Sequence, residues 1–191
     1  SALLPRAKVL QDVLDAGPGR VGVYGIENHS GTPIYVHTQV CVVDDVWATI
    51  GSDNVNRRSW THDSELTCGV YDTALDEREP TMLDAVGDGA RRFARNLRLQ
   101  VMCEHLDRTG DAPDVSDLID PKSAFAAFAE SAARLQAWYD GGRRGVRPAG
   151  RLRPYVSPHF NGPTKAAAEV IYRFANDPDG RPWSLRLRGT F

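Results

Sequence analysis

The stretch Ile34-Tyr35-Val36-His37-Thr38-Gln39-Val40-Cys41-Val42-Val43-Asp44, followed by Gly51-Ser52-Asp53-Asn54, decides how this chain is read. Ile34 to Val43 is dense in β-branched and aromatic side chains, which favour a pleated strand. Side chains along a strand alternate between its two faces. Tyr35, His37, Gln39, Cys41 and Val43 therefore share one face. Ile34, Val36, Thr38, Val40 and Val42 share the other, which is almost wholly apolar and is expected to be core. A second apolar run, Val46 to Ile50, ends at Gly51, a residue that permits a bend or a close backbone approach. Ser52 and Asn54 follow. An imidazole, two amides and a hydroxyl are thus expected at strand ends, a set suited to an anion with several acceptor oxygens, such as phosphate.

The spacing H-x-Q-x(4)-D and then G-S-x-N resembles the second signature of the phospholipase D superfamily, H-x-K-x(4)-D followed by G-S-x-N. The specific resemblance covers residues 20 to 75. Ile34 to Asp45 and Asn54-Val55-Asn56-Arg57-Arg58-Ser59 are closer to the phospholipid-cleaving branch than to the small nucleases. Trp60 to Leu66 resembles actinobacterial members. The resemblance implies an α/β, phospholipase D-like phosphodiesterase fold: a mixed sheet flanked by helices, with an α-helical C-terminal extension. It also implies a chemistry in which the motif histidine attacks phosphorus or protonates the leaving alcohol. Two motif copies meet across a pseudo-twofold axis, and a phosphohistidine forms on one of them.

By that resemblance His37 is nucleophile or general acid/base, and Asp44 has a structural, hydrogen-bonding role. Gln39, Ser52 and Asn54 hold phosphate oxygens. Glu65, in Asp63-Ser64-Glu65-Leu66-Thr67, takes the place of the carboxylate that fixes the imidazole tautomer and stabilises the imidazolium. Asp63 is the second choice for that role. Arg57 and Arg58 read equally well as phosphate neighbours or as a solvated charge pair. No metal and no cofactor is implied.

Gln39 departs from the family pattern. A lysine there would set three donors and a full positive charge against the phosphate; glutamine offers two N–H donors and no charge. Loss of a charge-assisted contact aimed at charge developing in the transition state costs about 2.7–4 kcal/mol, a factor of about 10²–10³ in rate. The site is therefore expected to be slow, or to bind phosphate without turnover, unless an arginine supplies the charge.

The chain has 191 residues, 41% hydrophobic and 25% charged, enough for a domain with a real core. A net charge of −2 gives no global attraction to nucleic acid or anionic lipid, which disfavours a nuclease. The run Arg143-Arg144-Gly145-Val146-Arg147, continuing to Arg151 and Arg153, is a local basic patch, read first as a solvated linker. No apolar run approaches the ~18 residues needed to span a bilayer, and no signal peptide is visible. The expected location is cytoplasmic or peripheral to a membrane. The three cysteines show no metal spacing; Cys41 and Cys68 read as small core residues. Only one motif copy is present. The reading is of a C-terminal half whose partner motif comes from a missing N-terminal half or another subunit.

Helical spacing marks Leu3 to Leu14, a short strand Val21 to Ile26, and a further strand Leu66 to Tyr71. Pro80-Thr81 opens a helical pattern to Leu106, with Val86, Ala90, Phe93, Leu97 and Val101 on one face. Asp120-Pro121 is a cap and first-turn pair, after which Phe125, Phe128, Ala132, Leu135 and Tyr139 form a stripe expected to pack on the sheet. A short helix is expected from Thr164 to Phe174, then a loosely held tail. The division that results is 1–78, a phospholipase D-like half-domain; 79–140, a helical extension; and 141–191, an Arg/Gly/Pro-rich linker and tail.

Three functions follow in order. The first is a phosphodiesterase or transphosphatidylase that hydrolyses or exchanges phospholipid head groups at a membrane surface through a phosphohistidine, impaired by Gln39. The second is a degenerate module that binds phosphate or a partner chain without catalysis. The third is a dimeric nuclease of the same superfamily.

Overall fold

Two turn-forming aspartates and the apolar runs on either side of them make a hairpin of the motif region. In the computed structural model the described residues are 3–82, 88–158, 167 and 169–188. They run α1 (Leu3–Ala16), β1 (Tyr24–Ile26), β2 (Gln39–Val43), β3 (Trp47–Gly51), α2 (Arg57–Thr61), β4 (Thr67–Val70), α3 (Arg92–Leu106), α4 (Ala112–Ile119), α5 (Pro121–Asp140), β5 (Leu152–Pro154), a π-helical turn (Tyr172–Asn176) and α6 (Trp183–Arg188). They fall into two units, the first 22–50 with 68–155, the second the described parts of 1–21, 51–67 and 156–191. The chain is thus α/β, with small sheets flanked by helices, as expected.

In the first unit, Asp44 and Asp45 have φ of 50° and 56°. The Val46 N–H donates to the Val43 carbonyl at 2.9 Å across them. Positive φ at both central residues is the turn whose twist matches paired strands, and aspartate is among the few non-glycine residues that tolerate it. A two-residue connection makes β2 and β3 antiparallel neighbours. With β4 they form a three-stranded sheet ordered β2-β3-β4. A separate antiparallel pair joins β1 to β5, with Gly25 opposite Arg153.

The apolar core lies among the helices. Leu99, Cys103 and Leu106 of α3, Val115 and Leu118 of α4, Ala124 and Ala132 of α5 and Leu152 of β5 form one buried cluster, with Tyr24 and Phe128 packed against it. The α5 stripe packs on β5 as expected; Ala132 and Leu135 are buried, while Phe125 at its start is partly open. Asp120 caps α5 by accepting from the Lys122 and Ser123 N–H groups.

Five expectations for this unit are corrected. The motif strand is shorter than Ile34 to Val43: it begins at Gln39, and residues 34–38 belong to no strand. Its apolar face is not core, since Val36 is 54% and Val40 43% exposed. Cys41 and Cys68 are exposed too. β-branched composition encodes fit to a pleated surface and says nothing of which face is covered. Of the helix expected from Pro80, residues 80–82 and 88–91 are not helical, 83–87 lie outside the described residues, and α3 begins at Arg92; Gly89 has φ of 119°, and the Ala90 and Arg91 N–H groups bond the Thr81 and Asp45 carbonyls instead of a preceding turn. Val86 lies outside the described residues. The segment read as a linker is tied down: it holds β5, and Arg147 and Arg153 both pair with buried Glu27, at 3.1 and 3.2 Å.

In the second unit, Asn56 caps α2 by accepting from the Ser59 N–H at 2.8 Å. Helix α1 runs two residues past Leu14, to Ala16. Ala167 and 169–171 are helical and lead into the π-helical turn; residues 164–166 of the expected helix lie outside the described set. The tail is held at Asp177, whose carboxylate accepts from the Arg58 N–H at 2.8 Å and the Tyr172 hydroxyl at 3.0 Å. Burial pushes the Asp177 carboxyl up, but the Arg57 and Arg58 backbone N–H groups, the Tyr172 hydroxyl and the Arg57 charge outweigh it and hold it below the ordinary carboxylate range.

Candidate functional site

Tyr35 and His37 lie in the segment before β2. Their rings stack with centroids 6.0 Å apart and planes 26° apart. His37 is exposed. Gln39, two residues on, opens β2 and is half-buried. Asp44 takes the first left-handed position of the turn and is exposed.

The neighbouring Asp45 is 1% exposed. Its carboxylate accepts from Arg95 Nε at 2.9 Å and from Arg98 Nε and Nη2 at 2.6 and 2.7 Å. Arg95 is wholly buried and reaches Asp76 as well, at 3.2 Å, and the carbonyls of Arg78 and Pro80, each at 2.6 Å. Burial raises the Asp76 carboxyl, but Arg78's guanidinium and N–H, with the charge of Arg95, bring it below the ordinary range. This network anchors the motif hairpin to α3. The sequence reading passed over Asp45, Arg95 and Arg98. The available signal was Arg95 and Arg98 at helical spacing, i and i+3, on a face otherwise carrying Leu99 and Met102.

Ser52, Asn54 and Glu65 belong to the second unit, where the structure brings Ser52 and Glu65 together. Ser52 Oγ donates to Glu65 Oε2 at 2.6 Å and accepts from the Leu66 N–H at 3.1 Å. Ser59 Oγ donates to the other Glu65 oxygen, also at 2.6 Å, and accepts from the Asn54 N–H at 3.2 Å. Glu65 therefore clamps the two ends of the 52–66 loop. The Asn54 carbonyl accepts from Trp60 Nε1 at 2.9 Å, and Thr67 donates to Asp53. Gly51 is required by close approach: a Cβ there would collide with the Thr67 side chain and lie 2.7 Å from its Cα. Asp63 accepts from Arg58 Nε and Nη2 at 3.2 and 3.1 Å. Arg57 pairs with Asp177 at 3.5 Å. Both arginines are thus answered by carboxylates in this unit.

Two more clusters in the first unit were not foreseen. Buried Glu27 accepts from the Tyr139 hydroxyl at 2.9 Å besides its two arginines. Asp107 accepts from Arg151 Nε and the Gly150 N–H, each at 2.9 Å, and lies 3.0 Å from His29 Nε2.

Among the described residues no helix is long and apolar enough to cross a membrane. The sequence profile of the phospholipase D family matches residues 24–139. Phospholipase D1 of Homo sapiens is 38% identical over 112 residues, which cover 56% of this chain and 10% of that protein. Phospholipase D zeta 1 of Arabidopsis thaliana is 38% identical over 93 residues, 47% of this chain and 8% of its own length. Phospholipase D1 of Schizosaccharomyces pombe is 39% identical over 85 residues, 42% of this chain and 6% of its own. The chain thus spans a tenth or less of the length of these relatives. No solved structure matches.

Proposed function

The chain belongs to the phospholipase D family, and from that premise we propose that it contributes one motif to a phosphodiesterase that hydrolyses or exchanges phospholipid head groups at a membrane surface. The observation that carries the reading is the run His37, Gln39, Asp44, Ser52 and Asn54 at family spacing inside the matched region. A ring nitrogen of His37 attacks phosphorus, and the bond from phosphorus to the head-group oxygen breaks. The departing oxygen takes its proton from a second motif histidine, supplied by another segment or subunit. Water or another alcohol then displaces His37 from phosphorus. Ser52 and Asn54 hold phosphate oxygens, with Ser52 turning its hydroxyl from Glu65 to the ligand. Glu65 is the candidate partner for the imidazolium. Asp44 serves through the turn it makes.

Head-group release from phosphatidylcholine, assayed on the protein together with its partner motif, tests this. Loss of release in His37→Ala supports it; undiminished release in that variant rejects it. The second reading, a phosphate-binding module without turnover, is favoured by the uncharged Gln39 and by the Ser52 proton already committed to Glu65. It predicts phosphate binding that His37→Ala weakens, with no release in either protein.

A further inference from the structure

Both oxygens of the Glu65 carboxylate are held by serine hydroxyls. Ser52 Oγ donates to Oε2 and Ser59 Oγ to Oε1, each at 2.6 Å. Donors on both oxygens fix the plane of a carboxylate as well as its place. Glu65 and Ser59 are half-buried, so water does not readily stand in for either bond.

The two hydroxyls differ in what else they are asked to do. Ser52 belongs to the motif and is assigned above to a phosphate oxygen. Once it turns to a ligand, its hydrogen leaves Glu65. Ser59 lies in α2, where its own N–H donates to the capping Asn56 side chain at 2.8 Å. That bond sets its backbone without using its hydroxyl. The Ser59 oxygen accepts from the Asn54 N–H at 3.2 Å. With a lone pair engaged on that side, the hydroxyl hydrogen is directed at Glu65.

We propose that Ser59 is a positioning residue of the phosphodiesterase site, which keeps the Glu65 carboxylate in place when Ser52 releases it to bind phosphate. The inference rests on the role of Glu65 proposed above, as partner of the imidazolium, and adds the group that holds it there. Ser59 itself touches no substrate. A carboxylate free to rotate supports the imidazolium in only some of its orientations. Loss of Ser59 therefore slows turnover and leaves the binding of substrate as it was.

Steady-state head-group release from phosphatidylcholine, measured on the full chain with its partner motif, tests this. Ser59→Ala keeps the N–H bonded to Asn56 and removes only the hydroxyl. It should lower kcat about tenfold, part of the about 10²–10⁴ that general acid–base help supplies, with KM within about twofold. Ser59→Thr restores a hydroxyl and should recover most of the rate. Ser59→Cys, similar in shape but a weak donor, should stay slow, and it decides the matter should the alanine variant fail to fold. Ser59→Ala combined with Glu65→Gln should be no slower than Glu65→Gln alone, because a residue that acts through another loses nothing once that other is gone. A merely structural role would multiply the two losses. Undiminished kcat in Ser59→Ala and Ser59→Cys, threonine and alanine variants equally slow, or multiplied losses would overturn the proposal. The parent reading survives such a failure if His37→Ala still abolishes release. Release undiminished in His37→Ala, or absent from the unsubstituted protein, rejects the parent reading and this role with it.

Discussion

Adjacent aspartates in one turn carry opposite burdens. Asp44 is exposed, while Asp45 is buried against two guanidinium groups. Asparagine is sterically acceptable at both, so paired substitutions isolate charge from backbone strain. Asp45→Asn should lower stability by about 3 kcal/mol, because it takes the carboxylate from Arg98 and leaves buried Arg95 with Asp76 alone; Asp44→Asn should change it by less than about 0.5 kcal/mol. Urea unfolding of the two variants checks this. The motif spacing that singles out Asp44 could not expose this division, since burial is decided by α3, fifty residues away in the chain. Gln39 was legible as a missing charge. Arg57 and Arg58, the arginines nearest to it in sequence, are paired with Asp177 and Asp63. Gln39→Lys should therefore raise the rate of phosphodiester cleavage about 10²–10³-fold, read as kcat in the head-group assay with the partner motif present.

At the level of elements, the sequence was clearest where a local rule has one outcome. Asp120 and Pro121 start α5 because a carboxylate caps free N–H groups and proline lacks the hydrogen that would be left over. Asp120→Ala should cost about 1 kcal/mol in thermal unfolding. Gly51 was legible as a bend or close approach, and the structure selects the close approach. Gly51→Ala should cost about 1–3 kcal/mol through overlap with the Thr67 backbone, again by thermal unfolding. Legibility ended where tertiary partners decide. The Pro80 pattern fitted a helix, yet the Asp45 carbonyl claims the Arg91 N–H. Val36 and Val40 of the motif strand fitted a buried face and are exposed, with Val42 half-buried.

Over the whole molecule, the shifted carboxylates set the response to acid. Asp76, Asp107 and Asp177 all have folded values below the ordinary 3.8. A lowered folded value stabilises the native state above the unfolded value and is lost as pH falls through the lowered one. These carboxylates should therefore leave stability level from neutrality down to about pH 4.5 and lower it below that, while half-buried His105, whose folded value burial also lowers, adds a decline as pH drops below about 6.5. Asp76→Asn should be less stable at pH 7 and show a shallower fall below pH 4.5, measured by urea midpoints at each pH. The net charge of −2 predicted none of this, because it counts charges without saying which are paired.

The Asp45 anchor has a further consequence for how the protein responds to mutation. The hairpin that bears the motif is bolted to a helix by two arginines that bond Asp45 and backbone carbonyls. A screen scored on turnover alone would flag positions 95 and 98 as active-site hits, and only a parallel readout of folded population would reveal them as joinery.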